Sequence, residues 1–365
     1  MQEIINLTKD LMRFKTVHAK PLEIQRCADF IQRRLQAWDI KYQCLNHANI
    51  PSILVLPQKS YAPILLMTHI DVVDAPNELF EPLEKDQKLY GRGSLDDKYA
   101  VALSMVLLKN YLKQLRTHGM AQEDLPFGLL ITGDEELGGF NGAKKALKQV
   151  QTDFCIVLDG GNLEKVVAKE KGVVRIKLVS QSWAAAADRS QLGANAIEML
   201  IDDFVKLRTD FVKSAPEHPH RAIILKSIQA GSNHQVPQYA EALLEIQYAA
   251  TDDMERLLEK LQTEFNSTFV VESIEPLFSN GESTHLNLLL DIAKQSSIGF
   301  EDGANDSRFL AKRGIKGIVW GANGDRSRHS ENEHVDIESV YELYGLLDKF
   351  MQQSAGQLPD LKGGA

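Results

Sequence analysis

Residues 64–98 have the sequence ILLMTHIDVVDAPNELFEPLEKDQKLYGRGSLDDK. The apolar run at the start of this stretch predicts a buried strand that ends near His69 and Asp71. Asp96 and Asp97 follow at the predicted start of a helix, after a glycine-containing loop. Open α/β sheets place their reactive groups at the carboxyl ends of strands. An imidazole and several carboxylates in that location therefore indicate a metal site.

The length and the charge of the chain narrow the class of protein. A chain of 365 residues is too long for one ordinary hydrophobic core, which predicts about two domains. Its 41 Lys and Arg against 50 Asp and Glu give a net charge of −9, and we find no basic stripe, so a nucleic-acid partner is not expected. Since no apolar run reaches about 18 residues, we expect no membrane span.

The amino terminus and the cysteines indicate a cytoplasmic protein. The sequence begins with MQEIINLTKDLMRF, which predicts an amphipathic helix rather than a signal peptide. Cys27, Cys44 and Cys155 have no paired spacing, so we expect them to be reduced thiols.

The order of the predicted elements indicates two domains, one of which interrupts the other. Strands and helices alternate over residues 1–171 and 275–365, which predicts an α/β domain with a sheet covered by helices. Residues 172–274 are predicted to follow the order β-α-β-β-α-β, the ferredoxin-like arrangement, and so to form a smaller inserted α+β domain. In the last segment, residues 306–313 are predicted to form a helix and residues 321–335 a loop.

Candidate metal ligands recur after predicted strands or in glycine-rich loops. They are His69, Asp96 or Asp97, Glu135 or Glu136, Asp159 and His329. Imidazole and carboxylate ligands without thiolate suit Zn²⁺, Mn²⁺ or Co²⁺. A pair of ions about 3.5–4 Å apart requires one bridging carboxylate and roughly two further ligands for each ion. The candidates meet that requirement with Glu135 left over, and an unligated carboxylate beside the ions can act as a general base.

Each candidate also has a purely structural interpretation. A histidine at a strand end is more often a hydrogen-bonded structural residue, and residues 96–97 could simply cap a helix. Residues 134–136 could be a solvated acidic turn, Asp159 could belong to an ordinary turn, and His329 could lie in an exposed loop. The joint occurrence of all five sites favours the metal centre.

The order and the spacing of these residues resemble the zinc aminoacylase/carboxypeptidase family, which includes acetylornithine deacetylase, succinyl-diaminopimelate desuccinylase and carnosine-type dipeptidases. The matching motifs are His69-x-Asp71, Gly91-Arg92-Gly93-x-x-Asp96-Asp97-Lys98, Asp134-Glu135-Glu136-x-Gly138 and His329-x-x-Asn332-Glu333. The resemblance covers nearly the whole chain. It implies a zinc-peptidase-like catalytic domain whose mixed sheet is flanked by helices, and an inserted ferredoxin-like lid domain that can carry a homodimer interface.

The resemblance also implies a set of metal ligands. Asp96 would bridge two divalent ions, with zinc expected first and cobalt or manganese as alternatives. His69 and Asp159 would complete one site, and Glu136 and His329 would complete the other.

Three further features follow from the resemblance. Glu135 would be the catalytic base, and Asp71 would hydrogen-bond the far nitrogen of His69 and so fix its ring. The peptide between Asp96 and Asp97 would be cis. The segment 303–308 resembles a substrate-side loop of the family, which makes Asn305 and Arg308 candidate substrate contacts.

The inserted domain departs from the family pattern. The histidine that stabilises the oxyanion in relatives falls at Ala185 or Ala186 and is therefore missing, which also weakens the expectation of an obligate dimer. The arginine that grips a substrate carboxylate is replaced by Gln247, and a turn asparagine is replaced by His234. His234 could supply the missing donor, or it could merely cap a turn.

Together these features predict a metallopeptidase or amidohydrolase. It would cleave the C–N bond of a peptide or an N-acyl amino acid with a di-metal-activated water, as a dipeptidase, carboxypeptidase or deacylase does. The alternative, from another class, is a metal-binding relative with weakened catalysis that binds a peptide or a small molecule. The presence of Glu135 favours the hydrolase, because a binding protein has no need of a spare base.

Overall fold

The computed structural model describes residues 1–182, 195–213, 222–231, 237–248, 252, 254–275, 277–279, 283–301 and 305–354. These residues form two compact units. The first unit contains the described residues of Met1–Lys169, Ser279–Glu301 and Asn305–Ala365, and the second those of Glu170–Phe278. None of the helices in this described part combines the length and the apolar character needed to cross a membrane.

The described part of the chain contains sixteen strands. They are β1 (Gln43–His47), β2 (Ile50–Val55), β3 (Tyr61–His69), β4 (Leu83–Lys85), β5 (Lys88–Tyr90), β6 (Phe127–Thr132), β7 (Gln151–Val157), β8 (Lys165–Glu170), β9 (Gly172–Gln181), β10 (Ala222–Ala230), β11 (Tyr239–Tyr248), β12 (Thr268–Glu275), β13 (Phe278–Ser279), β14 (Ser297–Glu301), β15 (Lys316–Val319) and β16 (His334–Asp336).

The same residues contain nine α-helices and four short 3₁₀ helices. The α-helices are α1 (Gln2–Met12), α2 (Pro21–Ala37), α3 (Lys98–Thr117), α4 (Ala143–Ala146), α5 (Ala196–Lys213), α6 (Met254–Thr263), α7 (Thr284–Ile292), α8 (Arg308–Ala311) and α9 (Ile337–Ser354). The 3₁₀ helices are Asn77–Phe80, Gln122–Asp124, Glu135–Leu137 and Leu147–Gln149.

The largest sheet has nine strands in the order β1-β2-β6-β3-β7-β15-β8-β13, with β14 paired to β8. Strands β6, β3, β7 and β15 are parallel, whereas β1–β2, β2–β6 and β15–β8 are antiparallel pairs. Helix α3 packs against β3 and β6, and α2 packs against β2. The mixed sheet flanked by helices that the sequence predicts is therefore confirmed.

The register of the central strands determines where the loops leave the sheet. Strands β3, β6 and β7 are apolar over most of their length and largely buried, as expected for parallel strands covered on both faces. His69 lies opposite Thr132, and Met67 lies opposite Val157. The three strands consequently end at the same edge of the sheet, so the segments that follow them leave side by side.

The second unit contains a four-stranded sheet in the order β10-β11-β9-β12. Its elements follow the order β-α-β-β-α-β along the chain, and every pair of neighbouring strands is antiparallel. Alternate residues of β9 are buried, among them Val174, Ile176 and Leu178, and they share a core with Leu244 and Leu200. This period of two is typical of a sheet with one face covered by helices.

Two features of the last segment differ from the sequence prediction. The segment predicted as a loop ends in strand β16, which pairs with β5 in a three-stranded sheet. The helix predicted over residues 306–313 is shortened to the single turn α8. The backbone N–H groups of Arg308, Phe309 and Leu310 bond to carbonyl oxygens three residues back, so this segment begins as a tighter turn of the 3₁₀ type.

The central strands should supply a large part of the stability. Leu66 in β3 is fully buried, so Leu66→Ala should lower the free energy of unfolding by about 3 kcal/mol through lost contacts and a residual cavity. Leu22 in α2 is 74% exposed, and Leu22→Ala should change it by less than about 0.5 kcal/mol. Denaturant unfolding of both variants measures the difference, and equal losses would contradict this description of the core.

Candidate metal centre

His69 stands at the carboxyl end of β3 with its ring held from both sides. Its Nδ1 lies 3.0 Å from the backbone oxygen of Asp71, and because a carbonyl oxygen can only accept, Nδ1 must carry the hydrogen. The other ring nitrogen, Nε2, lies 3.0 Å from Asp96 Oδ1 and 3.7 Å from Asp159 Oδ2. The backbone N–H of His69 donates to Asp97 Oδ2 at 3.3 Å. The ring therefore presents Nε2 to two carboxylates.

The carboxylate of Asp96 lies between two imidazoles. While Oδ1 faces His69, Oδ2 lies 2.9 Å from His329 Nε2, which is also 3.2 Å from Glu136 Oε2. The peptide that joins Asp96 to Asp97 is cis, as the resemblance implied.

These contacts define two groups of possible metal ligands that share Asp96. The first cluster is His69, Asp96 and Asp159, and the second cluster is Asp96, Glu136 and His329. In each cluster the three potential ligand atoms lie within 4.8 Å of one another. The five residues that the sequence analysis assigned as ligands are thus brought together, in the two groups that the resemblance implied.

The charges of the two imidazoles are set by the surrounding carboxylates. Burial alone would lower the pKa of His69, but the hydrogen bonds to Asp71 and Asp96 outweigh it and raise the pKa well above its usual value. Hydrogen bonds to Asp96 and then to Glu136 raise the pKa of His329 to about 10. The surrounding carboxylates thus favour the protonated form of each ring, and a divalent ion bound by the same atoms would displace that proton.

The carboxylates of the centre are crowded together, and this crowding and their burial shift their pKa values. Burial, followed by the charge of Asp96, raises the pKa of Asp159 to about 7, and burial raises the pKa of Asp97 well above its usual range. Although burial opposes it, hydrogen bonds from the two imidazoles hold the pKa of Asp96 well below its usual range. Crowded carboxylates beside imidazole nitrogens fit a divalent cation.

Glu135 occupies a different position from these ligands. It belongs to neither cluster, and among the described residues we find no hydrogen-bond partner for its carboxylate. Burial, and then the charge of Asp159, raises its pKa well above the usual range. The Glu135 carboxylate therefore lies within electrostatic reach of the ligands and is free to accept a proton.

Asp71 anchors the turn that carries Glu135 and Glu136. Its Oδ1 accepts the backbone N–H of Glu135 at 3.1 Å, and its Oδ2 accepts that of Glu136 at 3.0 Å. The resemblance implied that this carboxylate would bond the far nitrogen of His69. In the structure Asp71 Oδ1 lies 3.4 Å from Nδ1, whereas its backbone oxygen is closer. Asp71 therefore orients both the imidazole and the acidic turn.

Glu333 is a residue to which the sequence analysis assigned no role, although its motif includes it. Its Oε1 accepts the backbone N–H groups of Gly93 at 2.9 Å and of Leu95 and Asp96 at 3.2 Å. Its Oε2 forms a buried ion pair with the guanidinium of Arg92. Glu333 thus holds the loop that ends in Asp96.

The predicted substrate contacts are only partly described by the structure. Asn305 is buried, with Nδ2 donating to the backbone oxygen of Asp159 at 3.0 Å. Arg308 is buried as well, and its guanidinium lies 5.3 Å from the ring centroid of Phe309. His234, Ala185 and Ala186 lie outside the described residues.

Gln247, which the resemblance places at the position of the family's substrate-binding arginine, lies in the second unit. Its Oε1 accepts a hydrogen bond from Lys171 Nζ at 3.3 Å, and its Nε2 donates to Glu245 Oε1 at 3.3 Å. The amide of Gln247 is thus engaged with two neighbouring side chains of the same unit.

A cavity of about 310 Å³ adjoins Glu136 and Asp71. Its lining combines apolar side chains with three carboxylates and one imidazole, and consists of Val17, His18, Ala19, Ile24, Asp71, Val72, Val73, Asp74, Gly133, Glu136 and Leu137. Because the lining contains carboxylates but neither Lys nor Arg, it disfavours an anionic group and accommodates an uncharged apolar one.

Comparisons with known proteins agree on one family. The sequence profile of peptidase family M20/M25/M40 matches residues 65–353. The succinyl-diaminopimelate desuccinylase of Blochmanniella floridana is 24% identical, over 97% of this chain and 99% of its own length. That of Coxiella burnetii is 23% identical, over 94% of this chain and 98% of its own length.

Solved structures with the same fold include three peptidases. An M20 family metallo-carboxypeptidase from Sulfolobus solfataricus gives a TM-score of 0.76 at 18% identity and covers 97% of this chain and 100% of its own. A tripeptidase from Staphylococcus aureus gives 0.77 at 17% identity, with coverages of 98% and 99%. A dinuclear metal-binding peptidase of the M20 family from Bacillus subtilis gives 0.66 at 14% identity, with coverages of 98% and 99%.

The support that Glu333 gives to the Asp96 loop can be tested through stability. Glu333→Ala should lower the free energy of unfolding by about 3–5 kcal/mol, because it leaves the buried guanidinium of Arg92 and three backbone N–H groups without their acceptor. Glu331 is exposed in the same loop, and Glu331→Ala is the matched control. Denaturant unfolding with a chelator present measures both variants. A loss within about 1 kcal/mol of the control would contradict the role of Glu333.

Proposed function

The chain belongs to peptidase family M20/M25/M40, and from that premise we propose that it hydrolyses an amide C–N bond with two divalent ions held by the first and second clusters. The relatives that it matches identify it as an enzyme of the metallopeptidase and amidohydrolase type. We propose zinc as the ion, with cobalt and manganese as alternatives, since carboxylate and imidazole ligands accept all three.

The observation that carries the proposal is the sharing of Asp96 by two three-residue clusters. Each cluster offers one imidazole and two carboxylates, which is the donor set of a hydrolytic rather than a thiolate-rich structural site. Ions bound there would polarise the carbonyl of the substrate and lower the pKa of the attacking water.

Glu135 is the residue that we propose moves the proton. Its carboxylate lies outside both clusters, and the hydrogen bonds from its own backbone and that of Glu136 to Asp71 fix the turn that carries it. The carboxylate of Glu135 would take a proton from the attacking water and later give it to the amine that leaves. The products are then a carboxylate and a free amine, and Glu135 returns to its starting state.

The substrate class that we propose is a small peptide or an N-acyl amino acid. The named activities of the relatives, desuccinylase, carboxypeptidase and tripeptidase, all involve substrates of this kind. The cavity beside Glu136 supports an uncharged apolar group in the part of the substrate that would lie next to Glu136, since its lining contains no Lys or Arg. On the resemblance alone, we further propose that residues 172–274 close over the substrate and carry a homodimer contact.

Turnover and metal binding should separate in one variant. The protein loaded with zinc, cobalt or manganese should hydrolyse members of a panel of dipeptides and N-acetyl and N-succinyl amino acids. Glu135→Gln should lower kcat by about 10²–10⁴-fold and still bind two ions in equilibrium dialysis, because its carboxylate moves a proton without holding a metal. The control variant Glu331→Gln should leave both kcat and the binding of two ions unchanged.

Two results would count against the hydrolase. Unchanged turnover in Glu135→Gln would remove that residue from the mechanism. Binding of both ions without hydrolysis of any panel member would favour the alternative, a metal-dependent binding protein.

The cavity should determine which side chain the substrate can place next to Glu136. Val73→Trp should lower kcat/KM at least about tenfold for substrates with leucine or phenylalanine there, because the indole would occupy the space. The same variant should change kcat/KM little for glycine or alanine, and Leu83→Trp, at a position 57% exposed, should change neither. A uniform loss across all substrates would contradict this use of the cavity.

A further inference from the structure

The guanidinium of Arg328 contacts one carboxylate of the candidate metal centre. Arg328 Nη1 donates to Asp159 Oδ1 at 3.1 Å, and Asp159 is almost fully buried. The other oxygen, Oδ2, is the one that faces His69 Nε2. Of the two oxygens of Asp159, one is therefore bound to a permanent cation and one remains for a metal ion.

In the second cluster the corresponding carboxylate is Glu136, and the oxygen that does not face the imidazole is bound by a neutral backbone N–H group. Glu136 Oε2 faces His329, and Oε1 accepts the backbone N–H of Val73 at 3.2 Å. Both clusters share Asp96 and contribute one imidazole. What differs is that Asp159 is paired with a guanidinium, whereas Glu136 is paired with an amide.

We propose that Arg328 makes the two metal positions unequal, so that a divalent ion binds more weakly at the first cluster (His69, Asp96 and Asp159) than at the second (Asp96, Glu136 and His329). The proposal rests on the proposed function, since it presumes that both clusters hold ions. Arg328 is a positioning residue here, because it acts on the metal through Asp159.

Two physical effects weaken the first position. The positive charge of Arg328 offsets the charge of Asp159 and repels a divalent ion at short range. The hydrogen bond also engages one lone pair of Oδ1, which makes binding of an ion through both oxygens of Asp159 less favourable. The hydrogen bond from Asn305 Nδ2 to the backbone oxygen of Asp159 restrains the same residue from the other side.

The sequence position of Arg328 links the two clusters. Arg328 reaches Asp159 in the first cluster, and the next residue, His329, reaches Asp96 and Glu136 in the second. If an ion bound at the second cluster shifted His329, the adjacent Arg328 would shift as well, and its contact with Asp159 in the first cluster would change. Because hydrolysis would need both positions filled, the weaker one would make activity depend on the concentration of available metal.

Metal titration tests the inequality directly. Equilibrium dialysis of the full chain against Mn²⁺ should give two classes of site whose Kd values differ at least tenfold. His69→Ala should remove the weaker class, and His329→Ala should remove the stronger class, which assigns each class to its cluster.

Variants of Arg328 separate its charge from its shape. Arg328→Met removes the charge and should strengthen the weaker class at least tenfold, with the stronger class changed less than threefold. Arg328→Lys keeps the charge and should leave the weaker class within threefold of the original protein. Arg326→Met removes an exposed cation two residues away in the same loop, and it should leave both classes unchanged.

The outcomes distinguish this inference from the proposed function. Two ions bound with equal affinity, or equal effects of Arg328→Met and Arg326→Met, would overturn the inference and leave a two-metal hydrolase intact. Failure of the original protein to bind Mn²⁺, Zn²⁺ or Co²⁺ at all would contradict both. Thermal unfolding in chelator verifies that each variant is folded, and the partial exposure of the Arg328 side chain, 28%, favours this.

Discussion

The carboxylate of Asp96, placed between His69 and His329, is the interaction on which the candidate centre depends. Its two oxygens lie 3.0 Å and 2.9 Å from the two imidazole nitrogens. Because the side chain is buried, its charge is tolerated only where donors or cations meet both oxygens. The end of β3 and the loop before β16 must both reach this one group, so its position constrains segments that are far apart in sequence.

Several contacts of the surrounding fold restrain that position. The parallel register of β3, β6 and β7 brings His69, the turn of Glu135 and Glu136, and Asp159 to one edge of the sheet. Glu333 accepts backbone N–H groups from the loop before Asp96. Loss of either support would displace the ligands that it positions, so Glu333 acts on the centre through the backbone of the Asp96 loop.

The sequence was sufficient to predict the central strands and the five residues that the structure brings together in the two clusters. The apolar runs of β3, β6 and β7 are long enough to be recognised, and the polar residues that follow them point to the shared edge. The strands β5 and β16 have three residues each and are too short for a periodic pattern. The sequence therefore did not predict the small sheet in which these two strands pair. The contact between Glu333 and Gly93 joins residues 240 positions apart, and the contact between Arg328 and Asp159 joins residues 169 positions apart. No local sequence pattern reveals contacts at such distances along the chain.

A crystal of the zinc-loaded protein, measured at the zinc absorption edge, tests the shared use of Asp96 most directly. We expect two anomalous peaks about 3.5–4 Å apart, one beside each oxygen of Asp96, with His69 and Asp159 at one peak and Glu136 and His329 at the other. A fully loaded crystal with a single peak, or with peaks that Asp96 does not join, would contradict the two-cluster centre.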